Sequence, residues 1–150
     1  MLKSELLHPH ITAALARAGH GSRILIADGN YPHWTTRGPN AEVVFLNLSP
    51  GVVGSADVLR AVASAVPLEA GAVMATAASG PHTVEGEPPI WADFRAILAA
   101  AGAGFELEQL ERFAFYDAAA RPDVALVVAT AEEQVYANLL LTIGVVTRSG

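Results

Sequence analysis

Residues 19–33 read Gly19-His20-Gly21-Ser22-Arg23-Ile24-Leu25-Ile26-Ala27-Asp28-Gly29-Asn30-Tyr31-Pro32-His33, and this stretch decides the fold. Ile24 to Ala27 is a short continuous apolar run, as expected of a strand covered on both faces rather than one. It stops at a carboxylate, Asp28, which opens a loop reaching to about Asn40. A strand covered on both faces needs helices on each side of its sheet. In such sheets ligands bind beyond the carboxyl ends of the strands, which is where Asp28 falls.

The neighbouring segments agree with that reading. Before the strand, the spacing of Ile11, Ala14, Leu15 and Ala18 predicts a helix over His10–Ala18, with Pro9 in its first turn and Gly19 at its end. After it, strands are expected at 43–48, 72–77, 105–110 and 124–129, and a last extended segment at 136–146. Helices are expected from Ser55, as N-cap, through Ala65, at 90–101 and at 113–120. Strands alternating with helices mean an α/β fold with a mostly parallel sheet between helical layers. No linker or internal repeat divides residues 1–150, so one domain is expected.

Composition narrows the function. Of the 150 residues, 52% are apolar and only 16% charged, which suits a packed core and a surface partly covered by further copies of the chain. The net charge is −6 and the nine Lys and Arg residues form no stripe, so nucleic acid is not an expected partner. Cysteine is absent, which excludes disulfides and thiolate metal sites and fits a reducing compartment. The N-terminus has no apolar stretch of the signal-peptide kind and no run is long enough to span a bilayer, so a cytoplasmic protein without membrane attachment is expected.

Several side chains are candidates for chemistry. His20, uncrowded between two glycines, carries an imidazole, a side chain that serves as a general acid or base, though a histidine at a helix end also suits the helix dipole. Asp28 is either a turn former or a ligand for substrate hydroxyls. Only a strand from His20, it is expected to meet the imidazole on one rim. His33 is a second polar contact or a solvated loop residue, and Trp34 reads as a loop anchor through burial of its ring. Arg112 offers a fork of donors. Tyr136 and Asn138, alternate residues of an extended segment, are expected to point to one face as a polar lip. His8 and His10 around Pro9 read as a turn into the first helix rather than a metal pair. Gly102-Ala103-Gly104 reads as a helix stop, not a dinucleotide fingerprint.

Taken together, these residues resemble the D-ribose pyranase and L-fucose mutarotase family. The matching pieces are Met1-Leu2-Lys3, Gly19-His20-Gly21, the strand ending in Asp28, Pro32, Arg112-Phe113-Ala114-Phe115-Tyr116, and Tyr136-Ala137-Asn138 ahead of three leucines and Gly144-Val145. Their order runs the length of the chain, and the Arg-Phe-Ala-Phe-Tyr string leans toward the fucose branch. Asn30 and Trp34 stand where that branch usually carries histidines. The resemblance implies a three-layer α/β/α subunit and an isomerase that needs no cofactor or metal, acting on the anomeric centre of a free monosaccharide. It implies homo-oligomeric rings, a decamer or else a pentamer or octamer, with active sites at subunit contacts. By matching positions, His20 is the general acid and Asp28, Arg112, Tyr136 and Asn138 bind the sugar. Tyr136 is also a candidate proton relay, and Tyr116 a further candidate for the site. A non-catalytic sugar-binding or transport-accessory protein, or a purely structural ring protein, are the competing readings.

Overall fold

The computed structural model describes residues 1–149, in the order α1 (Pro9–Ala18), β1 (Arg23–Ala27), β2 (Glu42–Phe45), α2 (Ser55–Ala65), β3 (Leu68–Met74), α3 (Pro89–Ala100), β4 (Glu108–Leu110), α4 (Arg112–Ala119), β5 (Val124–Ala129) and β6 (Leu139–Ile143). The six strands form one sheet in the order β2-β5-β1-β6-β3-β4. The β2–β5, β5–β1 and β3–β4 pairs are parallel, whereas β6 runs antiparallel to both β1 and β3.

The apolar run that opened the sequence reading is covered on both faces. Ile24 and Ile26 pack with Ile11 and Leu15 of α1, Leu59 and Val62 of α2, and Phe94 and Leu98 of α3. Leu25 and Ala27, pointing the other way, pack with Tyr31 and with Phe115 and Ala119 of α4. Three helices therefore lie on one face, and α4 with the loop after β1 on the other. This is the three-layer α/β/α arrangement, with a mostly parallel sheet.

Element ends depart from the sequence reading where distant groups intervene. Ser55 is the first residue of α2 and not its cap; Gly54 holds the cap position without a side-chain bond. The Glu132 carboxylate accepts the Ser55 N–H at 3.1 Å, and the Ser55 hydroxyl is buried against Thr130 at 3.3 Å. β3 begins four residues earlier than expected, because Leu68 finds a partner in Ile143. The last extended segment shrinks to β6, because Tyr136 takes a left-handed backbone, φ 58°, that no strand accommodates. The helix stop is as read, with Gly102 at φ 78° just after α3. His8 also acts in the turn into α1: its Nδ1 accepts the Ile11 N–H at 3.4 Å.

Candidate functional site

Strand direction places the site. β1, β3 and β4 end on one rim of the sheet, and β6, running the other way, begins there. Residues just after the first three strands therefore meet residues just before the fourth. Around that rim lies a cavity of about 640 Å³, within the range that holds small molecules. Its polar lining includes Asp28 after β1, Thr76 after β3, Glu111 and Arg112 after β4, and Tyr136 and Asn138 before β6.

Asp28 and Asn138 form its floor, each only 4% exposed. The Asp28 N–H donates to Asn138 Oδ1 at 2.8 Å, and Asn138 Nδ2 donates to Asp28 Oδ2 at 3.1 Å. The Asn30 N–H donates to Asp28 Oδ1 at 3.0 Å. Burial pushes the Asp28 carboxyl above its ordinary value, outweighing these hydrogen bonds, which pull it down. A carboxyl group held in this way can read hydroxyls as acceptor or, when protonated, as donor.

Tyr136 is fastened at both ends. Its carbonyl accepts from Trp91 Nε1 at 2.9 Å. Its hydroxyl accepts the Ala77 N–H at 3.0 Å and donates to the His82 carbonyl at 2.6 Å. These bonds hold an unfavourable backbone conformation in place and tie the Ala77–Val84 loop over the cavity. One lone pair of the phenol oxygen remains for a ligand.

Arg112 is the first residue of α4, whose N-terminus is capped by the Glu111 carboxylate through the N–H groups of Phe113 and Ala114. Its Nε donates to the Tyr116 hydroxyl at 3.3 Å, and its guanidinium carbon lies 5.6 Å from the ring centres of both Phe113 and Tyr116. Among the described residues its two terminal amino groups bond no protein atom, which leaves a flat fork toward the cavity.

The sequence-expected residues thus fall into two groups. Asp28, Arg112, Tyr136 and Asn138 line one cavity, with Tyr116 beside them. Tyr136 and Asn138 meet there through a turn, not through strand alternation. His20 and His33 do not line it. The expectation that His20 meets Asp28 on one rim fails within a single chain. β1 separates them, and its five residues span roughly 16 Å at about 3.3 Å each. His20 lies on the opposite rim, where its Nε2 is bonded to Glu69. His33 packs edge-on to Phe45, ring centres 5.5 Å apart. Trp34 is not a buried anchor: it is 58% exposed, with the Arg37 guanidinium 4.1 Å over its ring.

Tyr31 also lines the cavity, and the sequence assigned it no role. Tyr31 packs edge-on against Tyr116 and Phe115, and burial pushes its phenol up to about 12. Its aromatic character beside Pro32 was the available signal.

Comparison with known proteins agrees with this architecture. A family model described as the RbsD / FucU transport protein family matches residues 1–146. The chain is 35% identical over 147 residues to the fucose mutarotase of Homo sapiens, covering 93% of this chain and 90% of that protein. It is 32% identical over 145 residues to the D-ribose pyranase of Paracidovorax citrulli, covering 97% and 98%. Among solved structures, the fucose mutarotase from Streptococcus pneumoniae in complex with L-fucose superposes with a TM-score of 0.79 at 25% identity, covering 93% of this chain and 94% of that one.

Proposed function

The chain belongs to the RbsD / FucU transport protein family, and we propose that it is a mutarotase or pyranase, interconverting anomers or ring forms of a free aldose of the L-fucose type. The observation that carries this reading is the convergence of Asp28, Asn138, Arg112 and Tyr136 on one cavity large enough to admit a monosaccharide. A carboxyl, an amide, a guanidinium fork and a phenol are the groups that bind vicinal hydroxyls, and the Tyr31 and Tyr116 rings supply apolar surface for a sugar face. Relatives named fucose mutarotase and D-ribose pyranase support the same chemistry.

The reaction needs one acid and one proton acceptor. The C1–O5 bond opens with its electron pair going to O5, which takes a proton from His20. The O1 hydroxyl gives its proton to water as C1=O1 forms. Rotation and closure on the other face return both protons and yield the other anomer, while closure through another hydroxyl yields a furanose. Asp28, Asn138 and Arg112 orient the sugar, and Tyr136 contributes its free lone pair.

His20 reaches such a cavity only from a second copy of the chain. The reading therefore includes a ring assembly with sites at the contacts between copies, a decamer in the first instance. Exposed Leu48, Phe113, Trp34 and Val146 are apolar surface available for those contacts. No helix among the described residues is long and apolar enough to cross a membrane, and the cysteine-free chain suits the cytoplasm. The family description as transport proteins favours one second reading, a sugar-binding accessory without turnover.

Magnetisation exchange between anomer signals, across L-fucose, D-ribose, D-galactose and L-rhamnose, tests the proposal. At least one sugar is expected to exchange faster with the protein than in buffer, and His20→Ala is expected to abolish this while leaving binding largely intact. Binding without accelerated exchange in the wild type identifies the accessory protein instead.

A further inference from the structure

Opening a sugar ring needs a group that takes the O1 proton, and most titratable side chains of the cavity are engaged otherwise. Each oxygen of Asp28 accepts a hydrogen bond, one from the Asn30 N–H and one from Asn138 Nδ2. The Glu111 carboxylate is occupied in capping α4, where it accepts the Phe113 and Ala114 N–H groups. Arg112 stays protonated. The three phenols, Tyr31, Tyr116 and Tyr136, each come with a hydrogen of their own.

His82 is left. Of the five histidines it alone, among the described residues, lines the cavity, and it does so on the side open to solvent. Its backbone is fixed from two sides. The Gly80 carbonyl accepts from the Thr83 N–H at 3.3 Å and from the Thr83 hydroxyl at 3.0 Å, closing a turn with Pro81 and His82 at its centre. Gly80 enters this turn at φ 95°, a conformation that favours glycine. The His82 carbonyl accepts from the Tyr136 hydroxyl at 2.6 Å, so a phenol of the cavity anchors the histidine at its edge. The ring, by contrast, is uncommitted: neither nitrogen bonds a protein group among the described residues. A neutral imidazole has one nitrogen that carries hydrogen and one with an open lone pair. Because backbone groups hold the loop, the ring is not needed for its shape.

We propose that His82 is a second catalytic residue, its imidazole taking the O1 proton that would otherwise pass to water. The inference rests on the mutarotase reading above. As C1–O5 breaks, its electron pair goes to O5, which takes a proton from His20 of a second copy. The electron pair of the O1–H bond becomes the second bond of C1=O1, and the proton passes to the open nitrogen of His82. On closure His82 returns its proton to O1 and His20 recovers the one on O5, so both histidines end the cycle as they began it.

Two variants test this. His82→Gln keeps a group that bonds hydroxyls but takes no proton, and His82→Ala opens space on the solvent side for added imidazole. Both keep the carbonyl that Tyr136 holds, so the loop is expected to stay in place, with the Ala77 amide exchanging as in the wild type. Anomer exchange of the same four sugars reads turnover, after subtraction of the rate in protein-free solution at the same imidazole concentration. In both variants kcat is expected to fall roughly ten-fold or more, part of the ~10²–10⁴ that a positioned acid–base supplies, while KM of His82→Gln stays within about two-fold. Added imidazole is expected to restore kcat in His82→Ala and to leave His82→Gln as it was. An unchanged kcat in both variants, a rise in KM alone, or a loss in His82→Ala that imidazole does not restore overturns the proposal and leaves the mutarotase reading standing. A wild type that accelerates exchange of none of the sugars removes the mutarotase reading, and this assignment with it.

Discussion

Asn138 stands one residue before β6 at the point where Asp28 leaves β1, and its one amide serves both the backbone and the side chain of that carboxylate, 110 residues away in the chain. The antiparallel course of β6 makes the meeting possible. Each partner answers an otherwise unmet polar group of the other in a place nearly closed to water.

Asn138→Ala should therefore leave the Asp28 N–H and one carboxylate oxygen without a partner. The expected loss of stability is about 1–3 kcal/mol, with sugar affinity falling in parallel. Urea unfolding measures the first and titration with the sugar the second. Unchanged stability would show that the amide is dispensable.

The raised carboxyl of Asp28 makes stability depend on pH. Above the ordinary value of 3.8, an unfolded chain has released the proton that the folded one still holds. The contribution of this group is thus fully present at lower pH and is lost as pH rises through the folded value. Relative to Asp28→Asn, which does not titrate, wild type should lose stability across that window. Urea midpoints of the two proteins, taken between about pH 4 and pH 7, check it. A gap that is constant with pH, or that moves the other way, contradicts the assignment.

Tyr136→Phe keeps the ring but removes both bonds to the loop above the cavity. The Ala77 amide should exchange with solvent on the order of ten-fold faster, from loss of about 1 kcal/mol of local protection, with KM rising more than kcat falls. Hydrogen exchange followed by NMR reads the first effect. An unaltered Ala77 amide would mean that the loop is held by other contacts.

Gly38→Ala probes how the long loop after β1 is seated. A Cβ there would come within 2.5 Å of the Arg121 carbonyl oxygen and 2.9 Å of that of Ala120, both backbone atoms at the end of α4. The loop or the turn has to shift, at a cost of about 1–3 kcal/mol. A thermal melt is sufficient; an unchanged Tm would refute the close approach.

Ile24–Ala27 and 124–129 were legible as strands, and the helical faces of α1, α2 and α3 as helices, because burial periodicity is written into neighbouring residues. Asp28 was legible as a site residue for the same reason: it stands where a buried run stops. Arg112, Tyr136 and Asn138 were candidates by side-chain chemistry, but their local setting allowed an ordinary structural role, and only the family resemblance made them sugar ligands. Glu69 was invisible, since nothing in Leu68-Glu69-Ala70 announces a shift of register against a strand some seventy residues later.

The order of residues was enough to say which segments are strands and helices and which polar groups stand at their ends. Strand direction and pairing were beyond it, because they follow from the packing of whole layers. The reversal of β6 brings Tyr136 and Asn138 to the rim of Asp28 and Arg112, and the forward run of β1 sends His20 to the other rim beside Glu69. Local preference reaches a few residues along the chain, whereas the choice of rim is made by contacts between segments a hundred residues apart.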